Sequence, residues 1–273
     1  MNRKRFTAMA VTVSAALGCF HMNVCAADTM LEDILETGVL QVATEPYFAP
    51  YEFIDSTQEG QEQYQGADMQ LARYIADELG VELEIVAMDF SDVLENVAIG
   101  EYPLAITGLA WTVERAETYE LSDVYYSTDS VNGFLIRAED ADVYTDLDSL
   151  AGKTVACQSG TVQETYASEQ IEDVNVAAYD SVITAVRALL SGSCDAVAVN
   201  DSNGATLAEL DENLIMAEAV FEDTTDDTVI ACPKGQTELV EKINEILAQV
   251  AEEELYEQWW EEAQELSASL NLD

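Results

Sequence analysis

Twice along this 273-residue chain the same order of elements recurs: apolar strand, polar loop, amphipathic helix, strand, helix, strand. In the first pass residues 39–43 read as a strand. Residues 68–79 follow as an amphipathic helix, with Met69, Leu71, Ala72, Ile75, Ala76 and Leu79 apolar and Gly80 as the stop. Residues 81–86 alternate apolar and acidic, as a half-buried strand does. Residues 91–99 make a helix, with Ser91 or Asp92 as its cap and Gly100 as its stop, and 104–106 the next strand. The order restarts with a strand at 153–157, a polar loop from Gln158 to Thr161, and a helix from about Val162. A helix over 181–190 and a strand over 195–199 complete it. No tandem sequence repeat underlies the two passes. The alternation predicts an α/β protein of two similar lobes. Ligands of open α/β sheets bind beyond the carboxyl ends of the strands. The loops after Ala43, Ile106, Cys157 and Val199 are therefore expected to line one cleft from both sides. Residues 237–264 read as one long helical region and 267–273 as a frayed tail.

The chain opens with a positive segment, Arg3, Lys4 and Arg5, followed by an apolar run from Phe6 to Phe20. This is the pattern of an export signal and is too short to span a bilayer. Small residues permit cleavage before Ala27 or Asp28, which makes 1–27 a signal peptide. The run AALGC at 15–19 is a loose match to a lipoprotein box, which would end the signal before Cys19 and make it a lipid anchor. Both exits stay open, and either places the protein outside the cytoplasm, periplasmic or extracellular.

No acid precedes Asp28, so residues 28–273 carry seven cations against 54 acids, a net charge of −47. No basic stripe is available for nucleic acid or for an anionic membrane surface. Roughly 245 residues suffice for two lobes, and an apolar content of 49% is too high for a disordered polyanion. The one histidine, His21, lies in the leader. The rest of the chain therefore cannot build a Ser-His-Asp or Cys-His site, nor a His-ligated metal centre. Cys157, Cys194 and Cys232 each sit in or beside an apolar run and read as buried thiols, although the compartment permits a disulfide between two of them. Neither a metal nor a cofactor is expected.

The run TGLAWTVER at 107–115 follows a buried strand. A small-residue loop with open backbone N–H groups and an arginine soon after suit a carboxylate ligand. The alternative for Arg115 is a surface ion pair with Glu114 or Glu117.

Seven segments together resemble one family. They are VATEP at 42–46 with PYEF at 50–53, GADMQLA at 66–72, ITGLAWTVER at 106–115, LSDVYY at 121–126, VACQSGT at 155–161, DAV at 195–197 and PKG at 233–235. In this order and spacing the chain resembles the extracellular solute-binding proteins of amino-acid ABC importers, over nearly all its length after the leader. The resemblance implies a type II periplasmic-binding-protein-like fold: two lobes, each an open mixed sheet flanked by helices, with the ligand cleft between them. It implies lobe 1 over 28–124 and 229–273, lobe 2 over 130–223, and hinge crossings near 125–129 and 224–228. It implies that Arg115 clamps the ligand carboxylate, with backbone N–H groups of Ala110 and near Thr161 and Val162. Thr107 and Gly108 would present acceptors to an ammonium, Phe48 and Phe90 aromatic walls, and Glu45 and Gln158 contacts to the ligand's side chain. The chain departs from the family at Asn200, where an aspartate usually pairs with the ammonium. Asn200 retains a neutral acceptor, and Asp201 beside it is the other candidate. Val162 replaces a frequent threonine or glycine, and Glu254 stands where a glycine usually precedes Leu255 and Tyr256.

The expected function is therefore a substrate-binding component that delivers an amino acid or similar zwitterion to a membrane permease, acting as a monomer. An enzyme on the same fold, a dehydratase or lyase using Glu45, Asp201 or Glu52, is the alternative. A sensing ectodomain fits less well, because no membrane helix or kinase follows within the sequence.

Overall fold

The computed structural model describes residues 28–222, 224 and 227–270. The leader readings, Cys19 and His21 included, and part of the second expected crossing lie outside these residues.

Two five-stranded mixed sheets form the framework, and their strand orders correspond. In the first, Glu82–Ala87, Val39–Thr44 and Leu104–Ala105 run parallel; Ala231–Pro233 is antiparallel to them and Tyr119–Leu121 closes the edge. In the second, Asn175–Tyr179, Thr154–Gln158 and Ala196–Asn200 run parallel, Asn132–Arg137 is antiparallel and Leu214–Val220 closes the edge. In each sheet the antiparallel fourth strand follows a crossing from the other lobe. The crossings themselves pair, Tyr126–Ser127 antiparallel to Asp227–Thr228.

Period-two alternation puts a core on both faces of each sheet. In the first, Leu40, Val42, Leu104, Ile230 and Cys232 pack on one side with helices Ala67–Leu79 and Thr237–Glu252. Ala43, Ala105 and Ala231 face helix Phe90–Ala98 on the other. In the second sheet Phe134, Ile136, Val155, Cys157, Ala196 and Ala198 form one core, and Leu135, Ala156, Val197 and Val199 the other. Cys157, Cys194 and Cys232 are buried and unpaired. Burial pushes the thiols of Cys157 and Cys194 up to about 12 and about 11. Among the described residues no helix is long and apolar enough to cross a membrane.

Three local expectations are corrected. The helix expected at 91–99 begins one residue earlier, at Phe90, and its N-cap is Asp89 in extended backbone, not Ser91 or Asp92. The long C-terminal helical region is two helices, Thr237–Glu252 and Leu255–Leu270. The second continues to Leu270, into the tail expected to fray, where Ser267 is buried; residues 271–273 lie outside the described residues. The break falls at Glu253 and Glu254, and Glu254 adopts φ 51°. A side chain in that left-handed region is strained where glycine is not.

Glu254→Gly is accordingly expected to stabilise the protein by about 0.5–1 kcal/mol. That is a rise in Tm of roughly 1–4 °C, measurable by scanning calorimetry.

Candidate ligand-binding cleft

The loops at the carboxyl ends of the parallel strands meet around a cavity of about 780 Å3 between the lobes. Its wall includes Glu45, Phe48, Phe90, Thr107, Gly108, Ala110, Arg115, Gln158, Thr161, Val162 and Asn200, the residues to which the resemblance gives a ligand contact.

Arg115 lies in the short helix Val113–Thr118, whose N-cap Thr112 accepts the Arg115 backbone N–H at 3.1 Å. This turns the side chain inward, and only 8% of the residue is exposed. The guanidinium donates to Ala110 O at 2.6 Å and, across the cleft, to Gly160 O at 3.0 Å. It lies 5.8 Å from the centroid of the Phe90 ring. It has no ion pair with Glu114 or Glu117, and among the described residues no carboxylate pairs with it. Burial pushes it down to about 10, so it remains a cation at neutral pH. A buried guanidinium bound only to carbonyls retains donors and charge for an anion.

Glu45 follows the strand Val39–Thr44 and is 7% exposed. It too lacks a cation among the described residues. Gln158 Nε2, from the other lobe, donates to its Oε1 at 2.6 Å. Burial raises the carboxyl to about 7, Gln158 opposes the rise and the charge of Asp89 adds to it. A raised value means that the closed form binds the proton more tightly than an open or unfolded one. The closed, unliganded form therefore loses stability as pH rises from about 4.5 to about 7. A cation beside Glu45 reverses that cost.

Thr107 Oγ1 accepts the Glu45 backbone N–H at 3.0 Å and donates to Glu52 Oε1 at 3.1 Å. Gly108 has φ 52°, and a Cβ there would stand 2.8 Å from Phe48 Cδ1. Both the backbone and the close approach of the Phe48 ring demand glycine. Phe48 stacks on Tyr51 with centroids 5.0 Å apart. Opposite, Thr161 and Val162 are the N-cap and first residue of helix Val162–Gln170. Asn200 caps helix Asp201–Leu210: its Oδ1 accepts from Ser202 N at 3.0 Å and Ser202 Oγ at 2.7 Å, and its Nδ2 donates to Ser130 Oγ at 2.5 Å. Asp201 is not on the cavity wall.

The wall also carries Tyr51, Asp89, Ser130, Asn132 and Asn203, which the sequence reading did not select. Tyr51 sits within the PYEF segment and so was within reach. Ser130 and Asn132 follow the first crossing, and only the pairing of Asn132 with Asn200 brings them to the cleft. Among the described residues no cluster of His, Cys, Asp or Glu suits a metal ion.

The model of the bacterial extracellular solute-binding proteins, family 3, matches residues 40–262. The chain belongs to this family. Among relatives of this solute-binding protein is the arginine-binding protein ArgT of Corynebacterium glutamicum, 30% identical over 213 residues. The match covers 75% of this chain and 65% of that protein, just under two thirds of its length. The amino-acid ABC transporter substrate-binding protein AbpA of Streptococcus pneumoniae, solved bound to L-arginine, is 32% identical with a TM-score of 0.76. That comparison covers 85% of this chain and 97% of the other. A cyclohexadienyl dehydratase of Pseudomonas aeruginosa is 25% identical over 66% of this chain and 67% of its own. The resemblance read from the seven segments, and the two-lobed fold it implied, therefore hold. The family is extracellular, in accord with export.

Gly108→Ala is expected to push the Phe48 ring aside at a cost of about 1–3 kcal/mol. This predicts a fall in Tm of roughly 2–12 °C, read by circular dichroism.

Proposed function

We propose that this protein is the extracytoplasmic receptor of an ABC importer for a cationic amino acid, with arginine as the leading candidate. One observation carries the reading. A buried cation, Arg115, and a buried acid, Glu45, line the same aromatic-walled cavity, and among the described residues neither has a charged partner of its own. A ligand with a carboxylate at one end and a guanidinium or ammonium at the other would neutralise both, and aromatic faces favour a cationic side chain between them. The arginine-binding proteins among its relatives support the same ligand class.

In this reading Arg115 holds the carboxylate with the N–H groups at Ala110, Thr161 and Val162. Phe48 and Phe90 flank the side chain, and Glu45 and Gln158 meet its cationic end. Lobe 1 comprises 28–124 and 229–273, and lobe 2 comprises 130–223. The paired crossings Tyr126–Ser127 and Asp227–Thr228 suit a hinge. Ligand bridges the lobes, and a permease recognises the closed form. Both walls of the cleft come from one chain, so a monomer suffices. Residues 1–27 supply the export signal, by cleavage before Ala27 or Asp28 or by lipidation at Cys19. The net negative charge would draw cationic ligand towards the cleft.

A catalytic reading also has an observation in its favour, since a carboxyl raised to about 7 is suited to general acid–base work. It requires turnover of a cyclohexadienyl carboxylate, and product formation detected by NMR would favour it.

Thermal unfolding with 1 mM arginine, lysine, ornithine, histidine or glutamine tests the receptor reading. At about 1,000 times Kd a ligand adds about 4 kcal/mol, a rise of roughly 8–16 °C. Arginine is expected to give that shift and Arg115→Ala to abolish it. A shift confined to neutral amino acids would overturn the cationic assignment.

Ionisation of Glu45 should also govern affinity. Between pH 6 and 8 the Kd for arginine is expected to fall by up to roughly tenfold as the fraction of ionised Glu45 grows. In Glu45→Gln, binding should be weaker and flat with pH, as calorimetric titration would show.

A further inference from the structure

Beside the ligand-facing loop lie two buried carboxyl groups that the proposed function does not use; Glu52 reaches the cavity wall and Asp68 does not. Glu52 belongs to strand Glu52–Ile54 and is 1% exposed; Asp68 lies in the first turn of helix Ala67–Leu79 and is fully buried. Asp68 Oδ1 accepts from Tyr256 Oη at 2.6 Å, Oδ2 accepts from Gly108 N at 2.7 Å, and Tyr125 Oη lies 2.9 and 3.0 Å from the two oxygens. Glu52 Oε1 accepts from Thr107 Oγ1, whereas Oε2, as a carboxylate oxygen, has no donor. The two carboxyls are within hydrogen-bonding reach of one another. Neither has an ion pair among the described residues.

Two adjacent carboxylates in a dry site cannot both ionise. Asp68 has three donors and the favourable end of a helix dipole, so it is the anion. Glu52 has one donor and an unsatisfied oxygen, and a proton on Oε2 both fills that gap and donates to Asp68. Burial and the neighbouring charge raise Glu52 well above the usual carboxylate range. The tyrosines around the pair, Tyr51, Tyr125 and Tyr256, are raised by burial and stay protonated. Glu45 is the remaining acid that faces Glu52.

The proton on Glu52 has a consequence in the cleft. With the proton on Oε2 and not on Oε1, Oε1 stays an acceptor, as it would be in the ion, so the Thr107 hydroxyl keeps its hydrogen on Glu52 and turned from the cleft. Thr107 Oγ1 already accepts from Glu45 N, and its remaining lone pair can only accept. Asn200, by contrast, commits its side-chain oxygen to Ser202 and one amide N–H to Ser130.

We propose that Glu52 and Asp68 share one proton, forming a single buried anion that orients the Thr107 hydroxyl to accept an N–H of the ligand. Glu52 is thus a positioning residue for the cleft. The ligand part of this inference rests on the proposed receptor function; the shared proton does not.

Infrared difference spectroscopy of the ligand-free protein tests the proton directly. At pH 9, where Glu45 is ionised, a protonated-carboxyl carbonyl band is expected in the wild type and absent in Glu52→Gln. No such band in the wild type would overturn the proposal, whether or not arginine binds. Arginine titration tests the positioning. Glu52→Ala should weaken binding about tenfold or more. Glu52→Gln, whose amide can donate to Asp68 and accept from Thr107, should recover most of it. A glutamine variant as weak as the alanine variant would overturn the positioning role, and if the alanine variant does not fold, the wild-type band and the glutamine titration still decide. A band at pH 9 in a protein that binds no cationic amino acid would sustain the shared proton and overturn the receptor reading alone.

Discussion

Arg115 is held in the closed cleft by two backbone carbonyls, one from each lobe, and neither cancels its charge. Glu45 is held across the same gap by a glutamine amide, which is neutral. Closing the lobes therefore withdraws a cation and an acid from water without pairing them with one another or with a neighbour. Desolvation of that kind costs several kcal/mol per ion unless the charge is matched. A ligand bearing the complementary charges at the right separation changes the sign of closure. In the proposed receptor, ligand binding and lobe closure are linked through this charge matching.

The framework that imposes this geometry is the repeated sheet. Each lobe ends its three parallel strands at the cleft, and each takes an antiparallel fourth strand after a crossing. The two crossings are hydrogen-bonded side by side, the place where the proposed receptor would hinge with both sheets intact. Gly160, with φ 81°, shows how close the lobes come: a Cβ there would stand 3.1 Å from Leu94 Cδ1 of the opposite lobe.

Asp68 ties the ligand loop to elements far from it. Its carboxylate gathers the backbone of Gly108, the Tyr125 hydroxyl next to the first crossing, and the Tyr256 hydroxyl of the closing helix. Tyr126 and Trp260 extend the cluster with ring centroids 4.6 Å apart. The position of Thr107 and Gly108 is therefore set by the same group that anchors the crossing and the C-terminus. A change at any of these residues would be felt in the cleft as well as in stability.

Strand and helix order and the two-lobe architecture were legible along the chain, because burial periodicity and loop position are local properties, whereas most of the eleven cleft residues were named only by the family resemblance. Arg115 and Gly108 stood out on local grounds: one scarce cation and one small residue follow directly after a buried strand. Asp68 carried a fainter signal, an acid on the apolar face that includes Leu71, Ala72 and Ile75. The pairing of Glu45 with Gln158, the shared environment of Glu52 and Asp68, and the bond from Asn200 to Ser130 were decided by tertiary structure alone. Each depends on atoms brought together from segments up to 188 residues apart, or on which of several partners a polar group finds first. A local pattern determines which face of an element is buried, but only the packed chain determines what a buried charge or donor meets there.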